Sequence, residues 1–447
     1  MAPFEPPATT QPPGPFEHAF VVVALLAFTL GPVYQLRVRY AGPLTVPDLI
    51  DDQFVQAVFA GLYGITIALV ARRAQMLTRA TALVFGSGIF SMVVLVSTFW
   101  SHDRGRTLAQ AVLLAGTSTF GLYLGVRFPV RSQIRMIFVA MQLGALMSVV
   151  AILRHWTAAR DIHGAWAGIY FNRNSLGPVA IVGFMAGSWL VVDQCADRRR
   201  SSVGWTVAAV VGAALDVRLE WGSRSLTPLL GLGGACGTAV TAFALALLVR
   251  SRRLRQPVAN GLLVGLAALV AAAFALGWQR FSLAIGRSST LESRTPLWHL
   301  VLDTWRVHPV RGIGWMSAWT DAAFQDKVRT VANVPLPSAH NGYLEVLLGT
   351  GIVGVLALAG VLVPILRRTW RVDPSITNLM ALWPLALVAY CLTVNLMESF
   401  IGANLLVWVL LLAAGSTAHA ARSTLALPLE SDGLASVGLT SAGLPKG

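Results

Sequence analysis

Residues 80–100 read ATALVFGSGIFSMVVLVSTFW, a stretch that carries no charged side chain and lies between Arg79 and Asp103. A helix of about 20 apolar residues is long enough to cross the roughly 30 Å hydrocarbon core of a bilayer. Similar runs recur along the chain and predict about twelve spans: 18–35, 53–71, 80–100, 107–126, 134–153, 174–194, 202–217, 226–249, 258–279, 342–366, 377–396 and 400–418. The pattern therefore predicts an all-α, polytopic membrane protein.

The composition supports this fold class. The 447 residues are 55% hydrophobic and only 12% charged, whereas soluble domains carry about 25% charged residues. The net charge is +14, but the basic residues stand in short bursts between apolar runs, so we expect no nucleic-acid partner. The three cysteines, Cys195, Cys236 and Cys391, are far apart and show neither metal-ligand spacing nor a disulfide framework.

Basic residues in alternate connections predict the orientation of the chain. The connections that carry these basic residues fall on one side of the membrane, and positive-inside bias assigns that side, together with both termini, to the cytoplasm. We predict a disordered Pro-rich arm at 1–17 without the basic region of a signal peptide, a transmembrane domain at 18–418 and a disordered cytoplasmic tail at 419–447. The protein is expected in the cytoplasmic (inner) membrane. The basic residues are Arg72, Arg73, Arg79, Arg127, Arg131, Arg135, Arg198, Arg199, Arg200, Arg250, Arg252, Arg253, Arg255, Arg367, Arg368 and Arg371.

One connection on the opposite, extracytoplasmic side, about 280–341, is much longer than the others. Irregular backbone is not tolerated in contact with lipid, so this loop lies outside the membrane or lines a cavity. Its content of Trp, Arg and His favours an ordered and functional loop. Trp298 and Trp305 could form a short amphipathic helix on the membrane face.

The segment PSAHNGYLE at 337–345 places His340 where the long loop meets the next span. A histidine at such a junction can face a hydrated cleft and accept a proton at neutral pH. Asn341 or Glu345 could orient its ring or a substrate. The alternative is an interfacial histidine that caps a helix together with Asn341.

A second segment, LESRTPLW at 291–298, carries Arg294 shortly before a proline that favours a helix start. A guanidinium group in this position can hold a phosphate through two parallel hydrogen bonds. Further on, HPVRGIG at 308–314 contains Arg311 and a Gly312-x-Gly314 turn whose backbone NH groups could approach a ligand. The alternatives are a surface arginine and an ordinary turn.

Three more polar segments fall on the same outer side. In WGSRSLTP at 221–228, hydroxyl residues flank Arg224, which suits an anion at a helix end, although a snorkelling arginine is the alternative. In YFNRNSLGP at 170–178, Asn172, Arg173 and Asn174 suit sugar hydroxyls or phosphate, or simple helix capping. In WSHDR at 100–104 we favour an interfacial Trp100 followed by a cap.

Taken together, these clusters favour an enzyme that acts on a lipid-linked anion at the outer leaflet. A proton-coupled transporter would place ionisable residues inside its spans. The middle of each predicted span is expected to be almost free of charge.

The residues SAHNGY at 338–343, with Gly351 further on, resemble the His-x10-Gly signature of the O-antigen ligase family. The resemblance covers about residues 80–415 and is fairly specific to the broad family, which also includes O-antigen polymerases and protein-directed oligosaccharide transferases. Arg173 stands where a lysine is frequent. The other segments that look like this family are those at 100–103, 171–174, 223–227, 294–298 and 308–314.

The resemblance implies a GT-C-like fold and an inverting glycosyltransferase. The donor would be a glycan on undecaprenyl pyrophosphate, and the acceptor a hydroxyl of a lipid A-core sugar, a growing chain or a protein. Arg224 and Arg294 would hold the pyrophosphate, and His340 would activate the acceptor hydroxyl. The remaining candidates for substrate binding are Asn341, Tyr343, Arg173, Asn172, Asn174, Arg311 and Trp298.

We predict neither a metal nor another cofactor. Two guanidinium groups can neutralise charge on a leaving pyrophosphate without a divalent ion. Asp48 and Asp51, spaced D-x-x-D, are a weak metal candidate. Two alternatives stay open: a polymerase of the same superfamily, and a transporter or flippase for lipid-linked glycans.

Overall fold

A computed structural model describes residues 12–41, 52–156, 159–161, 164–196, 202–284, 294–371 and 379–425. These residues form helices joined by turns and contain no β-strand; Arg160 and Trp166 form an isolated bridge. The predicted all-α class is therefore confirmed. Asp48 and Asp51 lie outside the described residues.

The described part of the chain contains fifteen α-helices. Short 3₁₀ helices occur at Ala74–Ala80, Ser97–Phe99, Ser317–Thr320 and Leu379–Leu382. The α-helices are α1 (Pro15–Phe28), α2 (Gly31–Ala41), α3 (Gln53–Ala71), α4 (Thr81–Val96), α5 (Arg104–Arg127), α6 (Val130–Leu153), α7 (Arg173–Ala196), α8 (Val203–Ser223), α9 (Thr227–Arg250), α10 (Gln256–Ala284), α11 (Arg294–Trp305), α12 (Ala322–Ala332), α13 (Gly342–Thr369), α14 (Trp383–Val394) and α15 (Leu406–Leu425).

Seven helical segments of the described chain are long and apolar enough to cross a membrane. The pair α1 and α2, bent by 69°, provides an eighth if it counts as one broken span. Shorter apolar helical segments occur at Gln256–Val270, Met380–Val394 and Leu406–Thr417. The chain is thus a multi-pass membrane protein, and the number of twelve spans stays a prediction.

Ion pairs gather several predicted cytoplasmic arginines at one end of the bundle, here called the basic end. The carboxylate of Glu17 at the start of α1 lies 2.8 Å from Arg127 Nε and 3.3 Å from Arg73 Nη2. Arg131 pairs with Asp193 at 2.5 Å near the end of α7. The start of α1, the end of α5 and the start of α6 therefore meet there, which agrees with the alternation in the sequence.

The long connection has its own small core at the opposite end. Leu297 and Val301 of α11 pack with Trp319, Phe324 and Val328. The expectation of order is met from residue 294 onward. Both tryptophans lie on the short helix α11, and their indole NH groups donate to carbonyl groups of the same loop, Ala339 and Pro309, both at 3.0 Å. Their place on the membrane face stays a prediction.

Two expectations need correction. Helix α8 continues to Ser223, six residues past the predicted span 202–217, so Asp216 near the end of that span lies about 10 Å from the helix end and is 0% exposed. Gln142 Nε2 donates to its carboxyl group at 2.6 Å. The last helix, α15, continues to Leu425 rather than ending at 418.

Candidate active site

His340 lies in a clamped turn directly before α13. Its φ of 49° is left-handed, a conformation that costs a residue other than glycine free energy unless its surroundings impose it. The preceding residue, Ala339, is held from two sides. Its carbonyl accepts from Trp298 Nε1 at 3.0 Å, and its NH donates to Glu345 Oε2 at 2.9 Å. Trp298 therefore positions the His340 turn, which differs from the predicted contact with substrate.

Asn341 caps α13. Its Oδ1 accepts from the NH groups of Tyr343 and Leu344 at 3.0 and 3.1 Å, and its Nδ2 donates to the Leu396 carbonyl at 3.2 Å. The Tyr343 hydroxyl donates to the Leu392 carbonyl at 3.0 Å. Both side chains were predicted to bind substrate. Their polar groups are instead engaged within the protein, so both residues help to build the site's framework.

Glu398, in the connection between α14 and α15, joins two of the predicted catalytic residues. His340 Nδ1 lies 2.9 Å from Glu398 Oε2, and Arg294 Nη2 donates to Glu398 Oε1 at 3.3 Å. Arg294 Nη1 also donates to the Met397 carbonyl at 2.6 Å. The side chain of Glu398 is 9% exposed and that of His340 is 20% exposed. This His340–Glu398–Arg294 chain therefore begins at a partly open imidazole and ends in the protein interior.

The charges in the His340–Glu398–Arg294 chain favour the ionised form of the Glu398 carboxyl group. Burial alone raises the pKa of the Glu398 carboxyl, but the neighbouring His340 and Arg294 lower it by more, so it lies below its ordinary value. A carboxylate that accepts from Nδ1–H holds the imidazole in one tautomer and leaves the lone pair on Nε2. That nitrogen can then serve as a general base.

Sequence reasoning missed Glu398. The signal was a glutamate at 398, in the short gap between the predicted spans 377–396 and 400–418. Because it is 58 positions from His340 in sequence, only the fold brings the two together.

Gly342 of the SAHNGY segment and Gly351 of the His-x10-Gly motif both have steric explanations. A Cβ at Gly342 would lie 2.4 Å from Asn395 Oδ1, and the Gly342 NH donates to the carbonyl groups of Asn395 and Glu398 at 2.9 and 3.0 Å. Gly351 has a φ of 63°, and a Cβ there would lie 2.4 Å from the Val310 carbonyl oxygen. The absence of a side chain at Gly342 thus leaves space for the turn that carries Glu398, and its absence at Gly351 leaves space for the outer loop.

Helix α13 is interrupted at Gly351. The NH groups of Ile352 and Val353 donate to the carbonyl groups of Pro309 and Val310, at 2.9 and 3.1 Å. The loop therefore supplies the acceptors that a continuous helix would have supplied.

The Gly312-x-Gly314 turn does not form an anion cradle. The Gly312 NH donates to the His308 carbonyl and the Gly314 NH to the Gly349 carbonyl, both at 2.9 Å. The functional alternative for these glycines is therefore wrong, because the Gly312 NH closes the turn itself and the Gly314 NH binds the turn to α13.

Arg224 lies apart from the His340–Glu398–Arg294 chain. It follows α8 in a left-handed conformation with φ 53° and is exposed. Its neighbour Ser225 donates to Asn174 Oδ1 at 3.3 Å. The Trp166 ring lies 4.0 Å from the guanidinium carbon of Arg218, and the Trp166 NH donates to the Gly222 carbonyl at 2.8 Å.

We call Arg160, Arg173, Arg218 and Arg224 the outer basic corner. Arg173 lies 3.7 Å from the Asp161 carboxylate. Asn172 caps α7, because its Oδ1 accepts from the Ser175 NH at 3.0 Å. Arg311, another predicted substrate contact, is exposed and lies over the Trp100 ring at 5.8 Å.

A cavity of about 230 Å³ lies between these two groups of residues. Its walls include Asn172 and Ser175 on one side and Ser338, Glu345 and Ser399 on the other. The three predicted catalytic residues do not converge on it as expected. Two of them meet at Glu398, the third stands at the outer basic corner, and none of the three is among the residues that line the cavity.

Comparison with known proteins agrees with the motifs. The model of the family described as O-Antigen ligase matches residues 222–359, a range that includes Arg224, Arg294 and His340. The predicted resemblance is thereby confirmed, and the fold and the match together support a membrane enzyme of the O-antigen ligase or polymerase type. The chain is also similar to the exopolysaccharide production protein ExoQ of Rhizobium meliloti (strain 1021), with 23% identity over 318 residues, 70% of this chain and 71% of that protein.

Proposed function

We propose that this protein transfers a glycan from an undecaprenyl-pyrophosphate carrier to an acceptor hydroxyl at the outer face of the cytoplasmic membrane. The observation that carries the proposal is the 2.9 Å contact between His340 Nδ1 and Glu398. Positive-inside bias assigns the basic end of the bundle to the cytoplasmic side of the membrane. The His340 turn, at the opposite end, then faces outward.

In the proposed reaction, His340 Nε2 removes the proton of the acceptor hydroxyl. The acceptor oxygen then attacks the anomeric carbon and forms the new glycosidic bond. The bond between that carbon and the pyrophosphate oxygen breaks, and its electron pair leaves with the undecaprenyl pyrophosphate. Direct attack inverts the anomeric configuration. Glu398 stabilises the imidazolium ion that forms, as the aspartate does in a Ser-His-Asp triad.

The outer basic corner supports a binding place for the leaving pyrophosphate. Arg224 is exposed and makes no side-chain hydrogen bond within the described part of the chain. Preorganised positive charge stabilises charge that develops on a leaving group. Arg294 is engaged with Met397 and Glu398, so we assign it to the positioning of Glu398 rather than to the pyrophosphate clamp that the resemblance implies.

Two acceptors fit this chemistry. A lipid A-core sugar would make the protein a ligase, and the end of a growing polysaccharide would make it a polymerase. The family description favours the first, and the similarity to an exopolysaccharide production protein favours the second.

The test uses the full chain purified in detergent with an undecaprenyl-pyrophosphate-linked oligosaccharide. One reaction contains lipid A-core and the other contains only donor; product size separates a single transfer from polymerisation. We expect product without any membrane gradient, which a transporter would not give. His340→Ala should lower the initial rate by about 10²–10⁴-fold, the usual contribution of a general base.

The matched control is His102→Ala, because His102 is exposed and stands outside the His340–Glu398–Arg294 chain. It should keep the wild-type rate. Absence of product from the wild-type protein in both reactions would contradict the proposed function. A wild-type rate in His340→Ala would contradict the assignment of the base.

A further inference from the structure

Glu345 is a second buried carboxyl group beside the contact between His340 and Glu398. It lies in the first turn of α13, and its side chain is only 2% exposed. Burying a carboxyl group is costly unless hydrogen bonds compensate for the lost water. The partners of these hydrogen bonds therefore indicate what Glu345 does in the protein.

One oxygen of the Glu345 carboxyl group is anchored to the outer loop. Its Oε1 accepts a hydrogen bond from Trp319 Nε1 at 2.5 Å. Trp319 belongs to the small core of that loop, where its ring meets the ring of Phe324 edge to face at a centroid distance of 5.2 Å. The position of the carboxyl group is therefore fixed relative to the loop.

The other oxygen joins the two chain segments that carry the proposed base and its partner. Oε2 accepts from the Ala339 NH at 2.9 Å and from the Ser399 hydroxyl at 3.2 Å. Ala339 directly precedes His340, and Ser399 directly follows Glu398. A single atom thus holds a neighbour of each residue in the 2.9 Å contact between His340 and Glu398.

Ser399 extends this link to the other side of the histidine. Its Oγ accepts from the Asn341 NH at 3.2 Å while its hydroxyl donates to Glu345. The backbone is therefore held both before and after His340. This matters because the left-handed conformation of His340, with φ 49°, persists only where the surroundings impose it.

The same bonds argue against contact between Glu345 and substrate. Although Glu345 is part of the cavity wall, both of its carboxyl oxygens already accept hydrogen bonds from groups of the protein. A substrate hydroxyl would have to displace one of these donors and leave it unpaired, which is costly for a buried group.

We propose that Glu345 is a positioning residue, which holds the His340 turn and the Glu398 segment at the separation that allows Nδ1 and the carboxylate to meet. Its effect on catalysis rests on the glycan transfer proposed above. Its effect on the imidazole does not, because the tautomer of His340 can be measured without turnover.

Histidine NMR tests the structural part of the proposal. The full chain is labelled with ¹⁵N-histidine, purified in detergent and measured at a pH at which the imidazole is neutral; the His340 signal is the one absent from His340→Gln. We expect the proton on Nδ1 in the wild-type protein, as the contact with Glu398 requires. In Glu345→Leu, which removes both acceptor oxygens, the tautomer with the proton on Nε2 should give the larger signal.

Kinetics test the catalytic part of the proposal. Glu345→Leu should lower kcat about 10²-fold, as expected when a catalytic group is displaced by about 1 Å, and should leave KM for donor and acceptor within about twofold. In a His340→Ala background the same change should lower kcat less than about threefold, because the group that Glu345 positions is absent. A loss of folded protein would instead lower the rate by the same factor in both backgrounds.

Two further variants keep the test decisive if Glu345→Leu does not fold. Glu345→Gln keeps one carbonyl oxygen for the Ala339 NH and gives up the contact with Trp319, so its kcat should stay within about fivefold of wild type. Ser399→Ala, at a half-buried position, removes the hydroxyl that links the two segments and should lower kcat about tenfold.

The matched control is Thr350→Val, which also removes a buried polar group from α13. The Thr350 side chain is 1% exposed, and its hydroxyl donates to the Val346 carbonyl of the same helix at 2.8 Å. This variant should keep both the wild-type kcat and the wild-type tautomer of His340.

A wild-type kcat and tautomer in folded Glu345→Leu or Ser399→Ala would overturn the positioning role, and so would an equal loss of rate from Glu345→Leu in both backgrounds. If the wild-type protein transfers no glycan but Glu345→Leu shifts the tautomer, the proposed function is refuted and the link between Glu345 and His340 is supported. Transfer by the wild-type protein with no effect of these variants would do the reverse.

Discussion

Two buried glutamates at opposite ends of the bundle form similar ion pairs, but only one of these pairs includes a group that can exchange a proton near neutral pH. Glu17 contacts Arg127, Arg73 and the Tyr123 hydroxyl, the last at 2.6 Å. Glu398 contacts Arg294 and His340. Guanidinium and phenol groups are not proton acceptors or donors for acid–base exchange near neutral pH, so that cluster can only hold helices together. One partner of Glu398 is a partly open imidazole, so the same kind of pair gains a group that can exchange a proton.

The largest difference in transfer rate is expected when each of the two glutamates is replaced by glutamine in turn. In Glu398→Gln the side-chain amide can donate to Nδ1 and leave the proton on Nε2, so the initial transfer rate should fall by about 10²–10⁴-fold, as in triads with the wrong tautomer. Glu17→Gln should keep the rate within about twofold but lower the melting temperature, because breaking a buried ion pair costs about 3–5 kcal/mol. Equal loss of rate in both variants would remove the functional distinction between the two clusters.

A smaller effect is expected when Arg294 is replaced by lysine. Lysine keeps the charge but cannot reproduce the two directed contacts to Met397 and Glu398, so the rate should fall about tenfold, the equivalent of about 1.4 kcal/mol. KM for the lipid-linked donor should stay unchanged. A clear rise in the donor KM would instead support the pyrophosphate clamp.

The pH dependence of stability sharpens the comparison further. The folded-state pKa of Glu398 lies below its ordinary value. The group therefore contributes stability above that ordinary value of 4.5, and this contribution is lost as the pH falls through the folded-state pKa. The melting temperature of wild type should exceed that of Glu398→Gln at pH 6 to 7, and the difference should shrink below about pH 4.5. A difference that stays constant with pH would contradict this linkage.

The smallest effect is expected at Asp216, which stands in neither glutamate cluster. Its carboxyl group is buried beside Gln142, a position that a transporter would use for a coupling proton. For an enzyme, Asp216→Asn should leave the transfer rate within about twofold, since the amide oxygen can accept from Gln142 as the carboxyl does. Loss of transfer, or a new dependence on a membrane gradient, would favour the transporter alternative.

The parts of the site that sequence could predict were those encoded locally. The apolar runs identified a membrane protein, and the SAHNGY motif identified His340 at the start of a span. The partners of that histidine could not be found in this way, because Glu398 is 58 positions away and Trp298 is 41 positions before the carbonyl to which it donates. Asn341 and Tyr343 were assigned to substrate because a polar side chain in a motif does not reveal whether backbone groups already occupy it.

The number of residues between His340 and Gly351 sets the rotation of His340 about the axis of α13. The turn that carries Glu398 binds α13 at its first residue, Gly342, and the outer loop binds it at the interruption, so these two contacts determine the direction in which the imidazole points. Each residue inserted or removed between them would turn the histidine by roughly 100° about the helix axis. A one-residue change in this interval should therefore aim the ring away from Glu398 even when every chemical group is kept.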